Sequence, residues 1–126
     1  MRDKINLTIP AKPDYLLTAR LTASSIASRM GFDVNDIEDI KTTIAESLLI
    51  IIHQKESKDI DIVFINNNDS LEIDASGVPG VSPQIDYDNE ESSLSRYLIE
   101  ALADESVFEE KDGLINKIHF VKNLQR

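Results

Sequence analysis

The side chains that could do chemistry are few and scattered in this sequence of 126 residues. It contains no cysteine, which excludes a thiolate metal site, a cysteine nucleophile and a disulfide. His53 and His119 are too few for a histidine-based metal site. Serine is abundant, but no G-x-S-x-G nucleophile motif occurs, and the paired glutamates at 90–91 and 109–110 are typical of solvated surfaces. Residue type alone therefore identifies no catalytic set.

The charges are unevenly distributed along the chain. The 23 acidic and 13 basic residues give a net charge of −10. Residues 1–30 hold five cations and two acids, a balance of +3, so the remainder carries −13. An acidic body repels phosphate backbones and argues against nucleic-acid binding. A basic first segment on an acidic body favours pairing with another protein, although acidity would also serve solubility.

The hydrophobic pattern predicts one soluble domain. The longest aliphatic run, residues 48–52, is far shorter than the roughly 20 residues of a spanning helix. The first four residues alternate in charge and lead into no apolar segment of a secretory signal. We therefore expect a single domain over residues 1–126, located in the cytoplasm and without a membrane partner.

Periodicity predicts the elements that must position any site. Alternation at Ile5, Leu7 and Ile9 predicts a strand. Helical spacing predicts one helix after Pro13 that Gly31 ends, with Leu17, Ala19 and Ala23 among its apolar positions, and a second helix over 37–51. Asp33 or Asn35 can cap the second helix, since Asn35 and Glu38 have capping-box spacing.

The second half alternates between strands and a helix. Two strands are predicted around residues 60–64 and 71–75, followed by an irregular acidic stretch at 76–92. A third helix over 94–102 and a hairpin turning at 111–113 complete the chain. This order predicts the α+β class, with a two-layer sandwich of a mixed sheet and helices on one face.

Residues 9–46 carry a more specific pattern. Its segments are IPAKPDYL at 9–16, RLT at 20–22, IASRMGF at 26–32, IEDIK at 37–41 and AE at 45–46. The pattern resembles the bacterial anti-sigma factor serine kinases, which belong to the GHKL ATPase superfamily. The resemblance covers nearly the whole chain in element order and implies a GHKL ATPase-like, Bergerat-type fold.

The first family motif is altered at its metal position. The resemblance implies that Glu46 matches the general base, and the asparagine that holds Mg²⁺ four residues later is replaced by Ile50. Positions i and i+4 share one helix face, but an isoleucine offers no oxygen ligand to Mg²⁺. The usual histidine is displaced by one residue, to His53. The half-helix is apolar nearly all round, so we expect Leu49 and Ile50 to fill at least part of the nucleotide volume.

The second family motif, D-x-G-x-G, is also altered. Asp74 matches the aspartate that binds the adenine amino group, but Ser76 and Val78 replace the two glycines. Gly77 and Gly80 lie out of register, so the backbone angles specific to glycine are lost where the motif needs them. Asp74 is alternatively a turn-forming aspartate after the strand.

The third family motif is a glycine-rich turn that cradles phosphates. Here Ser92, Ser93 and Ser95 replace its glycines, and Ser92 or Ser93 would alternatively cap a structural helix. Four acids precede the turn, and Arg96 is its only nearby cation. The acids are Asp86, Asp88, Glu90 and Glu91. One arginine does not offset four carboxylates around a triphosphate.

Three altered motifs together predict a degenerate family member, a pseudokinase that regulates by protein binding. We expect no catalysis, no ATP and no metal. The alternatives are an active ATP-dependent anti-sigma serine kinase, and a reshaped pocket for another small molecule.

The resemblance also implies protein partners. The partner is a sigma factor or an anti-sigma antagonist, and Arg20 matches the family's arginine on the partner-binding surface. A surface arginine without a partner is the alternative. A homodimer could form through the first strand, because unblocked edge strands pair readily.

Overall fold

The computed structural model describes residues 2–83 and 92–125, with side chains from Leu94 onward in the helix that begins at Ser92. The elements are β1 (Asp3–Pro10), a 3-10 turn (Pro13–Tyr15), α1 (Leu16–Met30), α2 (Val34–His53), β2 (Ser57–Asn66), β3 (Ser70–Pro79), α3 (Ser92–Leu102), β4 (Glu105–Lys111) and β5 (Leu114–Asn123). The α+β class and the GHKL-like sandwich are confirmed, while the single domain over 1–126 stays a prediction. No described helix has the length and apolarity to cross a membrane.

The five strands form one sheet in the order β1-β2-β3-β5-β4. Every neighbouring pair is antiparallel, so the predicted mixed sheet is wrong in that respect. The reason is the position of β5. The strands on either side of α3, β3 and β4, run in the same direction, but β5 lies between them and pairs antiparallel with both.

Local sequence sets the helix ends. Gly31 adopts the left-handed conformation with φ of 99°, and its N–H bonds back to α1, which ends that helix as predicted. Asp33, one of the two predicted caps, accepts a hydrogen bond from the Asp36 N–H at 2.8 Å and starts α2. A 3-10 turn begins at Pro13, so α1 itself begins only at Leu16.

The core lies between the helices and one face of the sheet. Three alanines spaced four apart on α1 (Ala19, Ala23 and Ala27) are fully buried, and α1 packs against α2. On α2 the buried positions extend round most of its C-terminal half, at Leu48 and 50–52. The sequence predicted that this part of α2 is covered on more than one side, because it is apolar nearly all round.

Two polar side chains join the layers near the helix ends. Gln54, just after α2, donates to the carbonyl of Ile115 at 2.7 Å and accepts from its N–H at 2.8 Å. Lys122 of β5 donates to the carbonyl of Leu102, the last residue of α3, at 2.8 Å. Its Nζ also lies 3.5 Å from Asp39 and 3.9 Å from Asp36 of α2. These contacts fix both ends of the helix layer relative to β5.

Candidate functional site

Glu46 and Ser95 lie together between α2 and α3. The Ser95 hydroxyl, in the first turn of α3, donates a hydrogen bond to the Glu46 carboxylate at 2.7 Å. Ser95 is only 8% exposed, and Glu46 is half-buried. The structure thus joins the residue that matches the family base to a serine at one of the family's glycine positions.

Ile50 lies one helical turn after Glu46, on the same face of α2. It is 1% exposed and belongs to the core cluster that also contains Ile99 of α3. Leu49, the other side chain expected to fill this region, is only partly buried. The volume next to Glu46 is therefore occupied by packed hydrocarbon at Ile50, which has no oxygen to offer a metal.

Asp74 lies on the opposite face of the sheet from Glu46. Its strand neighbours Ile73 and Ala75 are buried beneath the helices, so the side chain of Asp74 points to the other face. There it pairs with Nδ1 of His119, its register partner on β5, while His119 Nε2 lies 3.8 Å from Glu72. The structure does not bring Asp74 to the Glu46 region, and His119 takes part in a cluster with two carboxylates.

The segment after Asp74 is strand, which corrects two sequence interpretations. Because β3 continues to Pro79, Asp74 is not a turn residue after the strand, and residues 76–79 are not irregular. The cause is continued pairing with the first residues of β2, where Ser76 opposes Asp61 and Val78 opposes Asp59. Ser76 and Val78 follow Asp74 at two-residue spacing, so both belong to the outer face.

Gly77 has a packing role that the motif comparison missed. A Cβ atom at this position would lie 2.2 Å from the Ser57 hydroxyl and 3.1 Å from Cγ2 of Ile51. The absent side chain thus allows β3 to approach β2 and α2 closely. The signal that could have found it is the spacing, because Gly77 continues the inward positions of Ile73 and Ala75.

The remaining residues of the third motif are only partly placed. The acids at 86, 88, 90 and 91 lie outside the described residues, as do the side chains of Ser92 and Ser93. Arg96 lies over the Phe108 ring, 4.3 Å from its centroid, and 3.8 Å from Glu100. The cation expected near the phosphate turn therefore has partners on α3 and β4.

A cavity of about 300 Å³ opens beyond the C-terminal end of α2. Its lining includes Gln54, Ser57, Gly77, Pro79, Lys111 and Asp112. None of Glu46, Ile50, Asp74 and Ser95 lines it. No group of three or more histidines and acids within residues 2–83 and 92–125 could hold a metal ion.

Arg20 lies half-buried on α1. Its Nε atom is shielded from solvent and has no hydrogen-bond partner among the described residues. Nearby on the same helix Leu17 and Leu21 are 58% and 56% exposed, although Leu17 is one of the apolar positions at helical spacing. The alanine stripe faces the core instead, because its small side chains permit close packing of α1 on α2. The exposed leucines and Arg20 form an apolar, cationic surface.

Comparison with known proteins relates the chain to serine-protein kinases. No protein-family model matches the chain. It is similar to the serine-protein kinase RsbW of Bacillus cereus strain ATCC 10987, with 33% identity over 98% of this chain and 87% of that protein. RsbW of Bacillus licheniformis is 32% identical to this chain, over 82% of this chain and 76% of that protein's length. RsbW of Bacillus cereus strain B4264 is 40% identical over 75% of this chain, and the match spans only 59% of that relative.

Proposed function

The chain belongs to the family of RsbW serine-protein kinases, the anti-sigma factor serine kinases, and on that premise we propose that it regulates by binding another protein and has lost ATP-dependent phosphoryl transfer. The observation that carries this proposal is the burial of Ile50, one turn after Glu46. The described part of the chain thus has packed hydrocarbon at the position that would supply the metal ligand.

The energetics of this position support the loss of nucleotide chemistry. Mg²⁺ takes only oxygen ligands and holds them in a strict octahedral geometry. To admit a hydrated cation, Ile50 would have to leave a core in which it is 1% exposed. Losing such a side chain from a core costs about 2–4 kcal/mol, before any cost of placing charge there.

The contact from Ser95 is a second, independent support. A general base must lie within about 2.6–3.2 Å of the atom that carries the proton it removes. One oxygen of Glu46 instead accepts the Ser95 hydroxyl at 2.7 Å. In this arrangement the carboxylate stabilises the packing of α3 against α2.

Calorimetry with ATP and Mg²⁺ at millimolar nucleotide tests the proposal. We expect no heat of binding, because a buried isoleucine stands where the metal ligand would be and serines replace the glycines of the phosphate turn. RsbW of Bacillus cereus, titrated under the same conditions, is the control. Mg²⁺-dependent heat with this chain would favour the alternative, an active ATP-dependent anti-sigma serine kinase, and phosphate transfer to a serine of an antagonist would establish it.

The proposed partner is a sigma factor or an anti-sigma antagonist, held at the α1 surface of Leu17, Arg20 and Leu21. Arg20 places a cation beside these two exposed leucines, and a partner carboxylate would pair with its guanidinium. Titration with the sigma factor and the antagonist from the same genome, monitored by calorimetry, tests this. Binding of neither protein would contradict the proposed partner class.

A small-molecule ligand other than a nucleotide is the second candidate function. The cavity at the end of α2 favours it, because about 300 Å³ is at the lower end of ligand pockets. A thermal-shift screen of polar metabolites tests it, with Asn116→Leu as the variant that narrows the cavity. A stabilising compound whose effect persists in Asn116→Leu would place its site elsewhere.

We also propose a homodimer through the first strand. In the described sheet β1 is an edge strand, and Ile5 on it is 40% exposed. An exposed edge offers unpaired N–H and C=O groups to a second copy. Sedimentation at increasing protein concentration tests the dimer, and a monomer at every concentration would contradict it.

A further inference from the structure

The cavity beyond the C-terminal end of α2 combines a buried hydroxyl with an apolar wall. Its volume of about 300 Å³ suits a molecule well below drug size. Ser57 and Gly77 line it from the paired strands β2 and β3. The apolar wall consists of Pro79, Leu114 and Ile115. This wall offers contact to a short hydrocarbon side chain.

Ser57 lines the cavity with a hydroxyl that the fold leaves unsatisfied. The residue is only 9% exposed, and no hydrogen bond among the described residues involves its side chain. The other buried polar residues of the described chain, Thr43, Ser47 and Ser95, each donate a hydrogen bond. A Cβ atom at Gly77 would lie 2.2 Å from the Ser57 hydroxyl, so the absent side chain leaves room for this group. The hydroxyl is therefore available to donate to a ligand oxygen.

Charges of both signs surround the cavity. Lys111 ends β4, Asp112 lies in the turn that follows, and Glu56 immediately precedes β2. All three residues are exposed. Within the part of the chain that the structure describes, Lys111 forms no ion pair with Glu56 or Asp112. The cation and the two acids therefore remain available to a ligand.

The balance of these charges selects among small ligands. Two acids and one cation give −1 around the cavity, which disfavours a phosphate or a dicarboxylate. A simple amine would pair with the acids but would be repelled by Lys111. A molecule that carries both an ammonium group and a carboxylate can place each charge against its opposite.

We propose that this cavity binds a free α-amino acid with a short apolar side chain. The ammonium group pairs with Glu56 and Asp112. The carboxylate pairs with Lys111 and accepts a hydrogen bond from Ser57, while the side chain lies against the apolar wall. The proposal rests on the second candidate function, that the cavity takes a small molecule, and adds the chemical class of that molecule.

Nuclear magnetic resonance titration of the whole protein with free valine, leucine and isoleucine tests the proposal. At least one of them should shift the amide signals of residues 54–57, 77 and 111–116, with a dissociation constant of about 1 mM or lower. The amide of that amino acid lacks the carboxylate, and its N-acetyl derivative lacks the ammonium group. Each should bind roughly tenfold more weakly, because one charge on the cavity rim is left without its opposite.

Two variants test the residues that hold the carboxylate. Ser57→Ala and Lys111→Met should each weaken binding roughly tenfold. Lys111 is exposed, so Lys111→Met should fold even if the buried Ser57→Ala does not. Lys117→Met is the matched control, because Lys117 lies on the outer face of β5 and outside the cavity lining, and it should leave binding unchanged.

Four results would each overturn the proposal. They are no shift at about 20 mM of any of the three amino acids, shifts confined to residues outside the cavity, equal binding of the amide and N-acetyl derivatives, and full affinity in Lys111→Met. A compound of another charge class that binds in the cavity would sink this inference while the second candidate function stands. Nucleotide calorimetry reports separately on the loss of ATP chemistry.

Discussion

At the level of single residues, Ile50 should be required for folding. Ile50→Asn is expected to lower the free energy of unfolding by about 2–4 kcal/mol, because it removes packed hydrocarbon and buries an amide without partners. It should not by itself restore kinase activity, since serines still replace the glycines of the phosphate turn. Leu17→Asn, at an exposed helix position, is the control and should cost less than about 1 kcal/mol. Urea denaturation measures both variants, and equal stability of wild type and Ile50→Asn would contradict the packing.

Arg20 should matter for the complex more than for the monomer. Arg20→Ala is expected to weaken the partner complex by about 2 kcal/mol or more, and Arg20→Glu should weaken it further by placing a like charge opposite the partner's acid. The free energy of unfolding should change by less than about 1 kcal/mol, because the shielded Nε has no acceptor to lose. Arg29→Ala, another α1 cation, is the control in the same titration. Equal affinity of all four proteins would remove Arg20 from the interface.

The sequence predicted the chemical character of single residues better than the direction in which their side chains point. It identified Ile50 as apolar and Glu46 as a lone carboxylate, but the Ser95 hydroxyl bond required knowledge of how α3 packs. A motif match gives no strand register, so it could not show that Asp74 points to the outer face, where it pairs with His119. The shielding of Arg20 likewise depends on tertiary packing.

At the level of elements, Lys122 joins the start of α2 and the end of α3 to β5. Lys122→Ala should lower the free energy of unfolding by about 1–3 kcal/mol, because it leaves the last carbonyl of α3 and two acids without their cation. Lys122→Met keeps most of the apolar stem but removes the charge. Its stability compared with that of Lys122→Ala therefore separates the loss of the charge from the loss of packing. Lys117→Ala, on the outer face of the same strand, is the control, with an expected change within about 0.5 kcal/mol. Equal loss of thermal stability in Lys117→Ala and Lys122→Ala would contradict this role.

Element type and order were predictable because the apolar spacing is regular. The helix ends at Gly31 and Asp33 and the hairpin at Asp112-Gly113 follow from local chemistry alone. The extension of β3 to Pro79 was missed because Gly77, Pro79 and Gly80 are typical of loops, and pairing with Ser57–Asp61 overrides that preference. The antiparallel sheet was missed because local sequence does not place β5 between β3 and β4.

At the level of the whole molecule, the charge asymmetry should control the rate of association. The basic first 30 residues carry +3 on a chain of −10, so an acidic partner should be steered to the α1 surface. Stopped-flow association should slow as salt rises from about 0.05 to 0.5 M, because the Debye length shortens. Arg20→Ala should reduce this salt dependence, while Lys58→Ala, outside the basic segment, should not. A salt-independent wild-type rate would contradict steering.

The strand order also has a consequence for how the chain folds. The β2–β3 and β4–β5 pairs close over short turns, whereas β1 pairs with β2 only after α1 and α2 have bridged the distance between them. Loop closure is slower for distant segments, so the two hairpins should form early and β1 should dock last. Ile9→Ala in β1 should then mainly accelerate unfolding, and Ile73→Ala in β3 should slow refolding, as measured by chevron kinetics. A late-docking strand at the sheet edge leaves the nascent protein a free β2 edge during much of its folding, so a second chain could capture that edge before β1 arrives.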